Sequence, residues 1–241
     1  MMSGFSLPSI LPRFHPSRLK RRVFKTHYGC LLLTWLCGIA LVLAVSPAGA
    51  VNYYVKTNGV DGADGLTWAT AWQTLPYAAA TAPEGSTILA SNGTYIAVSP
   101  VRLTNGISLL SVAGPTGTAI SALDVSGRRC VELAATASNA LLAGFTITGG
   151  NRTDIYNGWG GGVWMLQGMV SNCVIVSNRV MGAGGGVCMS AGLLVDCVVS
   201  SNSALEWNYG YGGGIYMGAG MVDRCRIETN TCRGPFGGGG V

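Results

Sequence analysis

Gly160–Asn178 (GGGVWMLQGMVSNCVIVSN), Gly184–Asn202 (GGGVCMSAGLLVDCVVSSN) and Gly212–Asn230 (GGGIYMGAGMVDRCRIETN) align without a gap. Each runs from a glycine triplet to a cysteine 13 residues on, then to an asparagine five residues later. Successive copies are offset by 24 and 28 residues, so all length variation falls between the asparagine and the next triplet. A fourth copy opens at Gly238-Gly239-Gly240-Val241, and the sequence reads as truncated within it. Upstream, Leu142–Gly150 (LAGFTITGG) places Phe145 and Ile147 where the repeats carry Cys173 and Ile175. A fixed short period of this kind marks stacked repeat architectures.

Within each copy the apolar residues alternate, as a strand requires. Val163 and Met165 recur as Val187/Met189 and Ile215/Met217, while Trp164 between them becomes Cys188 and then Tyr216. Cys173 and Ile175 recur as Cys197/Val199 and Cys225/Ile227, while Val174 becomes Val198 and then Arg226. Constancy on one side and freedom on the other is the pattern of an enclosed core and an outer surface. The expected fold is all-β, a right-handed parallel β-helix with coils about 4.8 Å apart. Division of the residues after 50 by the repeat length predicts about seven coils.

That coil assigns roles to whole columns. Asn178, Asn202 and Asn230 are expected to form an amide ladder, each bonding the next. Cys173, Cys197 and Cys225 form one inward column in which thiols act as small hydrophobes; the pairing of Cys130, Cys188 and Cys232 stays open. Glycine triplets permit positive φ and close backbone approach at the bend. Asn172, Asp196 and Arg224 share an outward column, where Asp196 and Arg224 are placed to pair.

Residues 116–241 are thus assigned to the repeats and residues 51–115 to an N-terminal cap with the first coils. Tyr53–Val55, Ser86–Tyr95 and Ile107–Val112 read as strands and Asp61–Gly65 as a turn. Thr70–Ala82 has helical spacing, locally weakened by Pro76. A helical cap over the N-terminal end is expected because open sheet edges invite association. The last coil has no comparable cover, which predicts self-association there.

Residues 1–50 read as an export signal. The apolar run Cys30–Val45 follows a basic stretch and precedes Ala48-Gly49-Ala50, placing cleavage between Ala50 and Val51. At about 16 residues the run is short for a membrane span, so a membrane link is expected only through this signal or a C-terminal anchor outside the sequence. Of the 15 basic groups in the 241-residue chain, six lie in this segment. The remainder carries nine basic and ten acidic groups, so the formal charge of +5 belongs to the signal. A nucleic-acid partner, which needs a basic face, is not expected. Both histidines, His15 and His27, also lie in the signal, which removes histidine bases and histidine-ligated metals from the exported part.

Tyr53–Tyr95 resembles the entry segment of bacterial exported right-handed parallel β-helix proteins of the pectate-lyase-like superfamily. The GGG[VI] and C-x-[IV]-x-x-N elements resemble the GGAI and FxxN repeats of chlamydial-type polymorphic outer membrane proteins, with Cys in place of Phe. The resemblance implies a secreted, periplasmic or cell-surface protein: an adhesin, an autotransporter-like passenger, or a polysaccharide lyase or hydrolase. The lyases in that group use a carboxylate cluster for Ca²⁺ beside an Arg or Lys base. No stacked trio of carboxylates stands in these repeats; Arg128-Arg129 beside Asp124 and Glu132 reads as a solvated face. Asp61 and Asp64 supply too few oxygens for calcium. No metal and no cofactor are expected.

The loops before the first and third triplets carry the binding signal. Asp154-Ile155-Tyr156-Asn157-Gly158-Trp159 and Glu206-Trp207-Asn208-Tyr209-Gly210-Tyr211 each set an acid six positions ahead of the triplet and an aromatic one ahead. The loop between them, Arg179–Ala183, is short and lacks an aromatic. Rings of Tyr156, Trp159, Trp207, Tyr209 and Tyr211 with the amide of Asn208 suit sugar binding, rings stacking on pyranose faces. Asp154 and Glu206, two coils or about 10 Å apart, are the candidates for glycosidase carboxylates. The expected function is a non-catalytic envelope or secreted β-helix protein whose loops hold a polysaccharide or cell-surface glycan. The alternative is a polysaccharide lyase or glycoside hydrolase acting on the same lateral face.

Overall fold

A computed structural model describes residues 51–104, 106–154, 158–206, 210–234 and 238–240. The proposed signal, with Ala50, lies outside them. The described residues form a parallel β-solenoid of about five turns. The longest sheet stacks seven strands: Asn52–Val55, Thr87–Ala90, Ser108–Ser111, Leu141–Ala143, Met169–Ser171, Leu193–Val195 and Met221–Asp223. A second sheet stacks six, among them Thr146–Thr148, Val174–Val176, Val198–Ser200 and Arg226–Glu228. A third stacks Val101–Leu103, Val131–Leu133, Val163–Met165, Val187–Met189 and Ile215–Met217. A fourth, from Asn151–Arg152 to Thr231–Cys232, joins the second sheet to the third. Seven coils are reached only by the first sheet, because the outermost turns are incomplete.

The registers follow the repeat columns. Val163 pairs with Val187 and Val187 with Ile215, and Ile147 with Ile175, Val199 and Ile227 in succession. Val163, Met165, Val187, Met189, Phe145, Ile147, Ile175 and Val199 are fully buried. At about 25 cal/mol per Å² of apolar area, this continuous strip is the main stabilising term. Cys173 and Cys197 are buried in the same core, and the Cys173 contact together with burial pushes the Cys197 thiol up. In the last described coil the equivalent positions, Cys225, Val222 and Ile227, are only half-buried. All six described cysteines are free thiols. Burial pushes Cys130 and Cys188 up to about 12, so both stay protonated.

Three devices turn the corners. The Asn178 side-chain amide donates to Ile147 O and to Asn202 Oδ1, both at 3.0 Å, and its carbonyl accepts from the Gly150 amide at 2.8 Å. Asn202 repeats this with Ile175 O at 2.8 Å and Asn230 Oδ1 at 3.0 Å. The glycines of each triplet divide their work. Only the first has positive φ (Gly160, Gly184, Gly212); the second and third are glycine because a methyl there would strike the neighbouring coil. Asp196 and Arg224 pair across coils at 2.7 and 3.0 Å.

The sequence does not show the third device, columns of non-glycine residues in the left-handed region. Asn172, Asp196 and Arg224 form one (φ 47°, 54°, 49°), and Ser177, Ser201 and Thr229 another (φ 55°, 54°, 54°). Gly144 and Gly149 hold the same places one coil earlier. A β-branched residue is the worst fit for that region. Thr229→Asn is therefore expected to stabilise the protein by about 0.5 kcal/mol, read as a raised urea midpoint; an unchanged or lowered midpoint contradicts it.

At the N-terminal end the helix is shorter than expected, Leu75–Thr81, and Pro76 lies in its first turn, where proline is compatible with helix. Thr74 caps it by accepting from the Tyr77 amide at 3.3 Å. The outer edge of Asn52–Val55 is satisfied by the following loop. Tyr54 N donates to Gly65 O at 2.8 Å, Lys56 N to Trp72 O at 2.9 Å, and Trp72 N to Tyr54 O at 2.9 Å. Asp61 serves that loop, accepting from the Gln73 and Thr74 amides and the Thr74 hydroxyl at 2.7–3.0 Å. Strand Ser86–Tyr95 is broken at Ser91-Asn92 into two strands on different sheets.

Candidate functional site

The third sheet presents one outward column, Arg102, Glu132, Trp164, Cys188 and Tyr216, each in register with the next. Beside it runs a second column, because Trp159 bridges to Ala183 and Ala183 to Tyr211. In both columns the middle coil carries a small residue, Ala183 or Cys188, between aromatic neighbours. The result is a recess of about 310 Å³ lined by Trp159, Trp164, Cys188, Met189, Ser190 and Tyr216 among others. The Trp159 and Tyr216 rings touch as a tilted pair, 5.8 Å between centroids, and Tyr211 stands 6.1 Å from Tyr216. Trp159 is 38% exposed, so its ring is open to a ligand.

Two of the expected binding residues, Trp159 and Tyr211, thus meet on one face. Tyr156, Trp207, Asn208 and Tyr209 lie outside the described residues. Asp154 and Glu206 follow Arg152 and Ala204, which share a column two coils apart. Asp154 stands 3.8 Å from Arg152, and the Glu206 carbonyl accepts from the Gly210 amide at 3.0 Å. The repeat reading missed Trp164 and Tyr216. Their signal was the variable outward position of GGG-x-[WCY]-M, which carries aromatics in the same two coils as the loops.

Below the recess lies a buried charge. Arg129 is 5% exposed, and its Nε donates to Gly160 O at 2.8 Å and Trp159 O at 3.1 Å. Its Nη2 also donates to Trp159 O. Nη1 stands 3.6 Å from Glu132, which in turn lies 3.5 Å from the exposed Arg102. The guanidinium carbon sits 4.7 Å from the Trp164 ring centroid. Burial, with the nearby Arg152, pulls Arg129 down to about 10, which leaves it cationic at neutral pH. Arg129 and Glu132 are therefore an interior network and not the solvated pair expected from their sequence.

Such a face can stack sugar rings and offer the Ser190 and Tyr216 hydroxyls as hydrogen-bond partners. Among the described residues no three His, Cys, Asp or Glu side chains converge as a metal site. Comparison of the chain with known protein families, with curated proteins and with solved structures returns no match.

Proposed function

We propose that this chain is an exported β-helix protein of the cell envelope or secreted fraction that holds a glycan, without cleaving it, in the aromatic recess of its third sheet. The pectate-lyase-like and polymorphic-membrane-protein resemblances support the export and surface reading. In this reading the helix Leu75–Thr81 covers the N-terminal end of the core, into which Leu75, Ala78 and Ala79 are buried. The observation that carries the binding reading is the pairing of aromatic rings across a coil of small residues, Trp159 and Trp164 against Tyr216 over Ala183 and Cys188. The Trp159 and Tyr216 rings lean toward each other over the small-residue coil and touch, so a flat apolar sugar face would stack on the exposed side of Trp159 and not between the rings.

The test uses protein recovered from the culture fluid, where a chain beginning at Val51 is expected. Binding is measured to polygalacturonate, alginate, xylan and laminarin, with unsaturated-product absorbance and reducing ends followed in the same wells. Binding without turnover is expected, with the Trp159→Ala/Trp164→Ala double variant losing at least about tenfold in affinity. Turnover moves the protein to the lyase or hydrolase alternative and the search to Glu132, Asp154 and Glu206. No binding to any of the four sinks the glycan reading for these polymers.

A further inference from the structure

Arg129 occupies a place that its own repeat position does not explain. Val131 is in register with Val163, and Val163 with Val187; two residues earlier stand Arg129, Gly161 and Gly185. At Gly161 an added methyl would lie 2.5 Å from Arg179 O and 2.7 Å from Gly185 O, and at Gly185 it would lie 2.4 Å from Gly213 O. The stacked coils thus refuse any side chain at this column. The coil that opens it accepts the largest cation in the protein's repertoire and buries it.

Every direction of that guanidinium is used. Its Nε edge reaches the two carbonyls of Trp159 and Gly160, fixing the backbone from which the Trp159 ring projects. Its carbon lies over the Trp164 ring, 4.7 Å from the centroid. Its remaining nitrogen faces Glu132, the residue directly below Trp164 in the outward column. Both tryptophans of the recess therefore rest on one group, through a planar hydrogen-bonding fork and a cation–π contact that a lysine ammonium does not supply together.

We infer that Arg129 is the positioning residue of the aromatic recess, setting the backbone under Trp159 and the seat of Trp164, the two tryptophans that line the recess with Tyr216. The inference rests on the glycan reading only for its purpose; the geometry is testable without any ligand. A buried cation held solely for stability would be replaceable wherever its charge and volume were kept. A positioning group is not.

The experiment is indole ¹⁵N–¹H spectroscopy of the tryptophan-labelled protein, with Arg129→Lys as the variant. Trp72, whose indole donates to Ala63 O at 2.8 Å in the N-terminal loop, reports whether the fold persists. We expect the Trp159 and Trp164 signals to shift and broaden while Trp72 stays in place, and laminarin or polygalacturonate affinity to fall at least tenfold. Unmoved Trp159 and Trp164 signals overturn the inference. If Arg129→Lys also displaces Trp72, Trp164→Leu decides from the other side. In arginine-labelled protein the Arg129 Nε–H resonance should lose its ring-current shift in this variant while its slow exchange persists, and absence of that shift in the unaltered protein overturns the inference. Moved indoles with unchanged glycan affinity uphold the positioning role and sink the glycan site instead.

Discussion

Replacing Asn202 by leucine, nearly the same in shape, is expected to destabilise the protein by about 4 kcal/mol, the sum of two or three buried polar groups left without partners. Asn202 is 1% exposed and stands between two like residues. Its Oδ1 accepts from the backbone amide and the side-chain amide of Asn178, both at 3.0 Å, and its own amide supplies Ile175 O and Asn230. The leucine removes both sides, stranding the Asn178 amide and the Ile175 carbonyl inside the coil. Guanidinium unfolding followed by far-ultraviolet circular dichroism measures the loss, and a deficit below about 1 kcal/mol would show that the ladder contributes no more than ordinary exposed bonds. Asn202→Asp supplies an internal check. Its buried carboxylate keeps the acceptor and loses the donor, and burial raises its folded pKa. The deficit is then greatest above that value and shrinks as the pH falls and the carboxyl takes up a proton.

Gly185→Ala is expected to cost about 3 kcal/mol for a different reason, overpacking against atoms that have nowhere to go. The new methyl would lie 2.4 Å from Gly213 O of the next coil and 2.5 Å from Ser203 O, both backbone atoms. Relief requires moving that coil away, which breaks the bonds from the Gly184, Gly185 and Gly186 amides to the Tyr211, Gly212 and Gly214 carbonyls. Gly218→Ala is the matched control, because the nearest atom to its methyl is Met189 O at 3.8 Å; it should unfold at the same denaturant concentration as the parent. Equal midpoints for both alanine variants would refute the packing account.

The solenoid was legible in the sequence because inward positions tolerate so little. Val163, Val187 and Ile215 recur since each fills the same closed space, and the glycine triplet recurs since two of its members face the neighbouring coil's carbonyls. The asparagine column was legible for the same reason: a lone amide ending each apolar strand has few buried partners other than its own copies. What stayed hidden lies at the variable positions of the repeat or outside the aligned copies. Trp164, Cys188 and Tyr216 align as one variable position, yet they look like drift along the chain, and only the structure shows the recess they line. Arg128-Arg129-Cys130-Val131 shares no glycine with the triplets, so its equivalence to Gly160-Gly161-Gly162-Val163 escapes alignment. The left-handed turns at Ser201 and Thr229 leave no compositional mark, because the residues there are not glycine. The coil number failed on arithmetic: dividing the chain by the repeat length counts the N-terminal loop and helix as if they were turns.

The asparagine ladder and the coil-to-coil backbone bonds all run along one axis, and this makes the molecule mechanically anisotropic. A pull along the axis peels one rung at a time, each turn yielding before the next is loaded. A coil of 24 residues that spans about 4.8 Å when stacked pays out roughly 80 Å of chain when it lets go. A force applied across the axis meets many bonds at once, in shear. A tether of this design gives way in discrete lengths under axial tension and stays stiff against sideways drag.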